Sequence, residues 1–241
     1  MFNKQFKIRI DASNCTSLVE GGEFLEGKEI YDSWRFRDIE LESGKIYGIV
    51  GEYGQGPMYI SYLLGGRIDF GDLRLFCNDY ELSQKDLQEI SWNLEPSKEK
   101  YRNAIVKKDI EKALSKNKCK EDFNQIAEKF ILTEPRYDRK LFQLSGERWR
   151  ATAALGYAHR KKIYFAPYKY SKFYYDMCLS GLLKVLKELA ADGAIVLLPA
   201  GSDEFLKHIV DECIYTNREY DIDEMKKRYD EVFDKGEWIK K

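Results

Sequence analysis

Gly51-Glu52-Tyr53-Gly54-Gln55-Gly56-Pro57-Met58 is the stretch on which the reading of this chain turns. An unbroken apolar run, Ile46 to Val50, precedes it, and a helix-compatible run, Met58 to Leu64, follows. Strand, glycine loop and helix form the context in which backbone N–H groups and a helix N-terminus cradle phosphates. Gly51, Gly54 and Gly56 fit G-x-x-G-x-G, but Pro57-Met58 stands where a Lys-Ser/Thr pair should complete the loop. In a working loop the lysine reaches the outer phosphates and the hydroxyl holds Mg²⁺. Pro57 has neither charge nor N–H, yet proline is well tolerated in the first turn of a helix. Met58 offers a thioether, a poor partner for a hard cation. Charged hydrogen bonds are worth about 1.5–3 kcal/mol each, so losing the lysine and metal contacts costs ~5 kcal/mol, roughly three to four orders of magnitude in affinity. The turn survives such a change while its phosphate chemistry does not. The competing reading is an ordinary glycine turn between a strand and a helix.

Composition narrows the classes. The chain has 241 residues, enough for one or two domains. Acidic and basic residues nearly cancel, leaving a net charge of -1. A dedicated nucleic-acid binder normally shows a basic excess. Cys15, Cys77, Cys119, Cys178 and Cys213 are scattered without a C-x-x-C pair, and the histidines are His159 and His208. That pattern supports neither a zinc site nor a disulfide framework, and reads as free thiols in a reducing cytoplasm. Met1 to Arg9 carries no signal-peptide apolar block, and Ala194 to Leu198 is too short to span a bilayer. Any membrane role is therefore expected to come through a partner.

Along the chain, Phe6 to Ile10 and Trp34 to Leu41 alternate as half-buried strands do, and Ile46 to Val50 reads as a strand covered on both faces. Leu73 to Cys77 is a further short strand. From about 97 to 140 the chain turns Lys/Glu-rich and glycine-poor, with helical spacing at Ile110, Ala113 and Leu114 and at Phe123, Ile126, Ala127 and Phe130. This reads as a helical insertion. Ser145 to Ala158 reads as a helix N-capped by Ser145, Leu179 to Ala190 and Phe205 to Val210 as further helices, and Ile163 to Ala166 and Ala194 to Leu198 as buried strands. The alternation predicts an α/β fold on a mostly parallel sheet. Asp221 to Lys241 is charged and aromatic, either a docked helix or a tail.

With these positions placed, the chain resembles the nucleotide-binding subunit of an ATP-binding cassette (ABC) transporter over nearly its whole length. Leu41-Glu42-Ser43-Gly44-Lys45-Ile46-Tyr47-Gly48-Ile49-Val50-Gly51 resembles that family's lead-in to its P-loop, and Leu63-Leu64-Gly65-Gly66 and Gly71 resemble the glycines that follow it. Gln143-Leu144-Ser145-Gly146-Glu147-Arg148 is similar to the L-S-G-G-E/Q signature with one glycine missing. Ile163-Tyr164-Phe165-Ala166 resembles the Walker B strand, and Asp211-Glu212-Cys213-Ile214-Tyr215 the segment after the switch histidine. The resemblance implies a P-loop NTPase (RecA-like) ABC ATPase fold, α/β with a mixed, mostly parallel sheet and a helical subdomain. A single cassette then spans 1–241: a core of 1–96 and 161–220, a helical subdomain at about 97–160 and a charged C-terminal segment, 221–241.

The departures from that family's pattern are systematic. Pro167 falls where its metal-binding aspartate belongs and Tyr168 where its catalytic glutamate belongs; a slip of one residue changes little, since no acid lies between Ile163 and Tyr175. Glu95 replaces the phosphate-sensing glutamine and would repel a phosphate, the D-loop becomes Ser171-Lys172-Phe173-Tyr174, and Gly201 stands at the switch histidine. Tyr31 or Trp34 matches the adenine-stacking residue, unless either is simply a core aromatic. The degenerate nucleotide site therefore comprises Tyr31, Gly51, Gly54, Gly56, Pro57, Met58, Glu95, Pro167, Tyr168 and Gly201, with no metal ligand and no catalytic residue. Magnesium needs oxygen ligands and hydrolysis needs a base, and the aligned positions supply neither. The aromatic run Tyr164, Phe165, Tyr168, Tyr170, Phe173, Tyr174 and Tyr175 suggests side chains filling space that a nucleotide would occupy.

In that family two cassettes sandwich each nucleotide, so Ser145, Gly146 and Glu147 either complete a partner's site or simply open a capped helix. The missing glycine brings Glu147 one place closer to that site. The resemblance implies a non-hydrolysing subunit with ATP weak or absent and without Mg, partnered by an active ABC ATPase subunit and an integral membrane permease, cytoplasmic and peripheral at the inner face of the membrane. The alternative is a soluble interaction or regulatory protein that reuses the cassette as a scaffold. An enzyme of altered chemistry finds no nucleophile–base pair or metal cluster in the sequence.

Overall fold

A computed structural model describes residues 5–11, 16–19, 32–35, 38–52, 56–69, 73–95 and 100–216. The chain opens with strands β1 (Lys7–Asp11), β2 (Thr16–Val19), β3 (Asp32–Arg35), β4 (Ile39–Glu42) and β5 (Ile46–Val50), then helix α1 (Pro57–Leu64). Next come β6 (Arg74–Cys77), β7 (Tyr80–Glu81), α2 (Gln84–Ile90) and β8 (Ser91–Asn93). Helices α3 (Val106–Lys116), α4 (Phe123–Lys129) and α5 (Arg148–Ala158) follow. The chain returns to the sheet with β9 (Ile163–Phe165), α6 (Ser171–Met177), α7 (Leu183–Ala191), β10 (Ile195–Ala200) and β11 (Glu212–Tyr215).

Two sheets organise these elements. The larger has the order β11-β5-β10-β9-β8, with every neighbouring pair parallel. The smaller is antiparallel, in the order β4-β1-β6-β7. The parallel strands are short and apolar because helices or the second sheet cover both faces. Their period of two divides the core. Tyr47, Ile49, Ile163, Phe165, Ile195 and Leu197 face α1 and the antiparallel sheet. Ile46, Val50, Tyr164, Val196 and Leu198 face α5, α7 and the helices of residues 104–132. In β1, Ile8 and Ile10 are buried while Lys7 and Arg9 are exposed, the alternation expected of a strand with one wet face.

Several elements differ from the sequence reading. Trp34 to Leu41 is not one strand: β3 pairs with β2, whereas β4 pairs with β1 in the antiparallel sheet. The stretch read as a helix from Leu179 begins with a wide π turn, Cys178–Leu182, in which Gly181 takes a φ of 98°, so regular helix starts only at Leu183. Phe205 to Val210 is reduced to a single 3₁₀ turn, Leu206–His208. Helices α2 and α6 and strand β8 were not anticipated; α2 opens on a capping box, in which Ser83 and Asp86 bond each other's backbone N–H groups. No helix among the described residues is long and apolar enough to cross a membrane. Asp221 to Lys241 lies outside the described residues.

Candidate functional site

The glycine stretch stands where strand β5 meets helix α1, at the carboxyl end of the parallel sheet, the end at which such sheets take ligands. Gly51 is buried, and its N–H donates to the Ala200 carbonyl at 3.1 Å, fixing the start of the loop to the end of β10. Gly56 caps α1 with a φ of 107°, a conformation that costs a glycine little. Pro57 then occupies the first turn, as its missing N–H allows. All eight residues of α1 are buried. Met58 is only 6% exposed and belongs to the apolar cluster shared with the antiparallel sheet. Ser61, one turn further on, donates its hydroxyl to the Ala166 carbonyl at 2.7 Å, pinning the helix to the end of β9. Tyr31 and Gly54 lie outside the described residues, as do Tyr53 and Gln55.

The segment after β9 runs beside β10. Ala166 and Lys169 donate their N–H groups to the carbonyls of Leu197 and Pro199 at 3.1 and 3.2 Å. Ser171 and Ser202 share a hydroxyl contact of 2.9 Å. Pro167 offers only its carbonyl, which accepts the Tyr174 hydroxyl. Tyr168 points back across the site. Its hydroxyl donates to the Gly51 carbonyl at 3.3 Å, and its ring packs against the cluster that holds Met58. At Gly201 a Cβ would come 2.7 Å from the Tyr168 hydroxyl oxygen, against 3.8 Å from the ring carbon that bears it. Phenol and glycine are thus complementary: the hydroxyl fits between the start of the loop and the end of β10 because residue 201 has no side chain.

Glu95 does not stand as a lone negative charge. Its carboxylate pairs with Arg148 at 3.4 Å and with Lys169 at 3.5 Å. It is 17% exposed, and its N–H donates to the Asn93 side chain at 2.9 Å. Its charge has a local structural use: it joins β8 to the first turn of α5 and to the segment after β9.

The Ser145 stretch also corrects the sequence reading. Helix α5 begins at Arg148 with Glu147 as its N-cap, so Ser145 caps nothing. Ser145 and Gly146 are exposed in a turn closed by the Arg148 N–H donating to the Ser145 carbonyl at 3.1 Å, and a Cβ at Gly146 would meet nothing within 4 Å. Glu147 turns inward instead of toward a neighbour. Its carboxylate accepts from the Thr133 N–H at 2.9 Å, the Thr133 hydroxyl at 2.6 Å and Arg136 at 3.1 Å, with Arg150 at 3.6 Å. Buried Leu144 and Glu147 therefore hold the exposed pair between them in the turn before α5.

Of the aromatic run, Tyr168 bonds the described start of the glycine loop, at Gly51. Tyr164, Phe165 and Tyr174 lie in the core, where burial pushes the phenols of Tyr164 and Tyr174 well up. Phe173 packs on Trp149, and Tyr170 is 84% exposed. The pairing of Glu95 with Arg148 and Lys169 was not anticipated, and long-range ion pairs leave no local signature. The Tyr168–Gly201 fit had a signal: a large residue and a glycine, both out of pattern, at the ends of neighbouring strands.

Residues 57, 58, 167, 168 and 201 bring neither a cation for phosphate nor an oxygen set for the metal, and a phenol stands against Gly51. No group of three or more His, Cys, Asp or Glu among the described residues is arranged to hold a metal ion.

No family model and no curated protein sequence matches the chain. Solved structures do. The structure of CbiO1 from Clostridium perfringens, part of the ABC transporter complex CbiONQ, superposes with a TM-score of 0.61 at 13% identity, covering 87% of this chain and 84% of that one. A nucleotide-free ATP-binding cassette from an ABC transporter gives 0.60 at 14% identity, covering 88% and 87%. An ATP-binding subunit of an ABC transporter gives 0.61 at 13% identity, covering 87% and 85%. The chain therefore has the fold of the ATP-binding subunits of ABC transporters.

Proposed function

We propose that this chain is a non-hydrolysing subunit of an ABC transporter, which pairs with an active ATPase cassette and, through the assembly, with a membrane permease. The observation that carries the reading is the Tyr168 phenol, whose hydroxyl stands 3.3 Å from the Gly51 carbonyl and fits against a residue 201 without a side chain. A glutamate at that place would supply a base, but the phenol of tyrosine stays protonated at neutral pH and cannot. Pro57 and Met58 remove the charge and the hydroxyl that would hold phosphate and metal. The loop is kept as structure. Its turn closes on Ala200, and its helix is fully buried.

The pairing rests on a different feature. Ser145 and Gly146 are exposed in a turn anchored by buried Leu144 and Glu147, so a hydroxyl and backbone N–H groups are open to a neighbour while the acid is turned away. That arrangement suits completion of a neighbour's phosphate site. The expected location is the inner membrane face, reached through the permease.

The test is reconstitution with a cassette and permease encoded beside this chain. Substituting the partner cassette's catalytic glutamate should abolish all turnover of the complex. Tyr168→Phe in this chain should leave that turnover within about twofold, whereas Gly146→Trp should depress it at least tenfold. Turnover that survives loss of the partner's glutamate would refute the reading.

A further inference from the structure

A cavity of about 130 Å³ lies beside edge strand β8, lined by Arg67, Gln88, Ser91, Trp92, Asn93, Tyr101, Thr152 and Lys161. Ser91 opens β8 and Lys161 lies just before β9, at the amino ends of these parallel strands, whereas Gly51 follows the carboxyl end of β5. Its chemistry is uneven. Most neutral donors are spent: Ser91 donates to the Gly65 carbonyl at 2.8 Å, Gln88 to the Gly66 carbonyl at 2.9 Å and the Trp92 indole to the Thr152 carbonyl at 2.9 Å. The Thr152 hydroxyl donates to the Arg148 carbonyl at 2.7 Å.

Lys161 and Tyr101 are different. The Lys161 ammonium donates to the carbonyls of Gln88 and Glu89 at the end of α2, and no carboxylate among the described residues comes within ion-pair distance of it. An ammonium has three donors, so one remains. Tyr101 stacks on Trp92 at 4.6 Å, and its hydroxyl makes no hydrogen bond to any described residue. Burial lowers the Lys161 pKa; the nearby Glu89 charge partly offsets that, and the Arg67 charge adds a smaller lowering. A half-buried ammonium held by two carbonyls, with no carboxylate in ion-pair contact, can still gain from a directly bound anion.

We infer that this cavity binds one small anionic group, a carboxylate or phosphate, with the Lys161 ammonium and the Tyr101 hydroxyl as direct ligands and the Trp92 ring as its apolar wall. The volume fits a single such group, since a cavity of roughly 150 Å³ takes a ligand the size of benzene. The anion comes either free in solution or as the acidic side chain of a bound protein. Nothing in this inference depends on whether ATP is turned over.

The test is calorimetric titration of the full chain with sodium malonate, potassium phosphate and the peptide acetyl-Gly-Glu-Gly-amide, at ionic strength matched with chloride. Quenching of Trp92 fluorescence serves as a second readout. Saturable binding is expected for at least one probe, weakened about tenfold or more in Lys161→Met and about threefold to tenfold in Tyr101→Phe, and kept in Lys161→Arg. Saturation by malonate or phosphate assigns a free anion, and saturation by the peptide alone assigns an acidic side chain of a protein. Should Lys161→Met fail to fold, Tyr101→Phe decides. Absence of saturation with every probe, or saturation indifferent to Tyr101→Phe and to any folded Lys161→Met, overturns the inference.

Discussion

Substituting Gly201 by alanine probes the fit on which the functional reading rests. The new Cβ would stand 2.7 Å from the Tyr168 hydroxyl oxygen, well inside van der Waals contact. The ring must move by roughly half an ångström, which breaks the 3.3 Å bond to the Gly51 carbonyl. Losing a bond of this kind costs about 0.5–1.5 kcal/mol, and overpacking typically costs about 1–3 kcal/mol. Because residue 201 is exposed, the lower end of the second range applies, for a total of about 2 kcal/mol. In the Tyr168→Phe background the nearest atom is a ring carbon at 3.8 Å, an ordinary contact. There the same substitution should be neutral, or stabilising by up to about 1 kcal/mol through reduced freedom of the unfolded chain. The double-mutant cycle, read by urea denaturation of four proteins, should give a coupling of about 1.5–2 kcal/mol. Thermal midpoints should separate by roughly 2–4 °C for each kcal/mol. Equal destabilisation in both backgrounds, with coupling under about 0.5 kcal/mol, would show that the hydroxyl does not occupy that gap.

Further expectations follow from the same geometry. Glu147→Ala leaves the Thr133 N–H and the largely buried Arg150 without their acceptor, which should cost about 3–5 kcal/mol and lower the thermal midpoint by roughly 10 °C; a shift under ~2 °C would mean that the carboxylate is not held inward. Gly156→Ala drives a Cβ to 2.6 Å from Trp92 and 2.7 Å from Tyr164, both buried, and despite its better helix propensity should destabilise by about 1–2 kcal/mol in denaturant titration. Burial pushes the Cys178 thiol up to about 12, so at pH 8 it should react with a thiol reagent at least ~10³-fold more slowly in the folded protein than in urea, read by peptide mass spectrometry. Its folded pKa lies above the unfolded value. The associated stability is therefore complete below pH ~8.5 and is lost as pH rises toward 12.

How far the fold could be read in advance depended on the kind of signal. The parallel strands were legible because burial on both faces leaves no room for polar residues, and Ile46–Val50 and Ile195–Ala200 carry almost none. Helix α1 was legible from the glycines before it and the apolar run within it. Helix α6 was hidden because Ser171-Lys172-Phe173-Tyr174-Tyr175 has the aromatic content of a strand, and its helical state is set by packing on Trp149. The break at Gly181 was hidden because one glycine in an amphipathic run is usually tolerated in helix. At the site, the missing groups at 57, 58, 167 and 168 were legible as residue types. The inward turn of Glu147 was not, because its partners Thr133, Arg136 and Arg150 converge only once the helices pack.

The proposed function makes this chain a cassette in shape that has lost its hydrolytic chemistry. Turnover of magnesium-ATP by the purified chain alone, followed by phosphate release across size-exclusion fractions, tests it most directly. The expected result is no release above buffer in any fraction, for the native chain and for Tyr168→Phe alike. Release that tracks the protein peak and changes with substitution at Tyr168 would contradict the account.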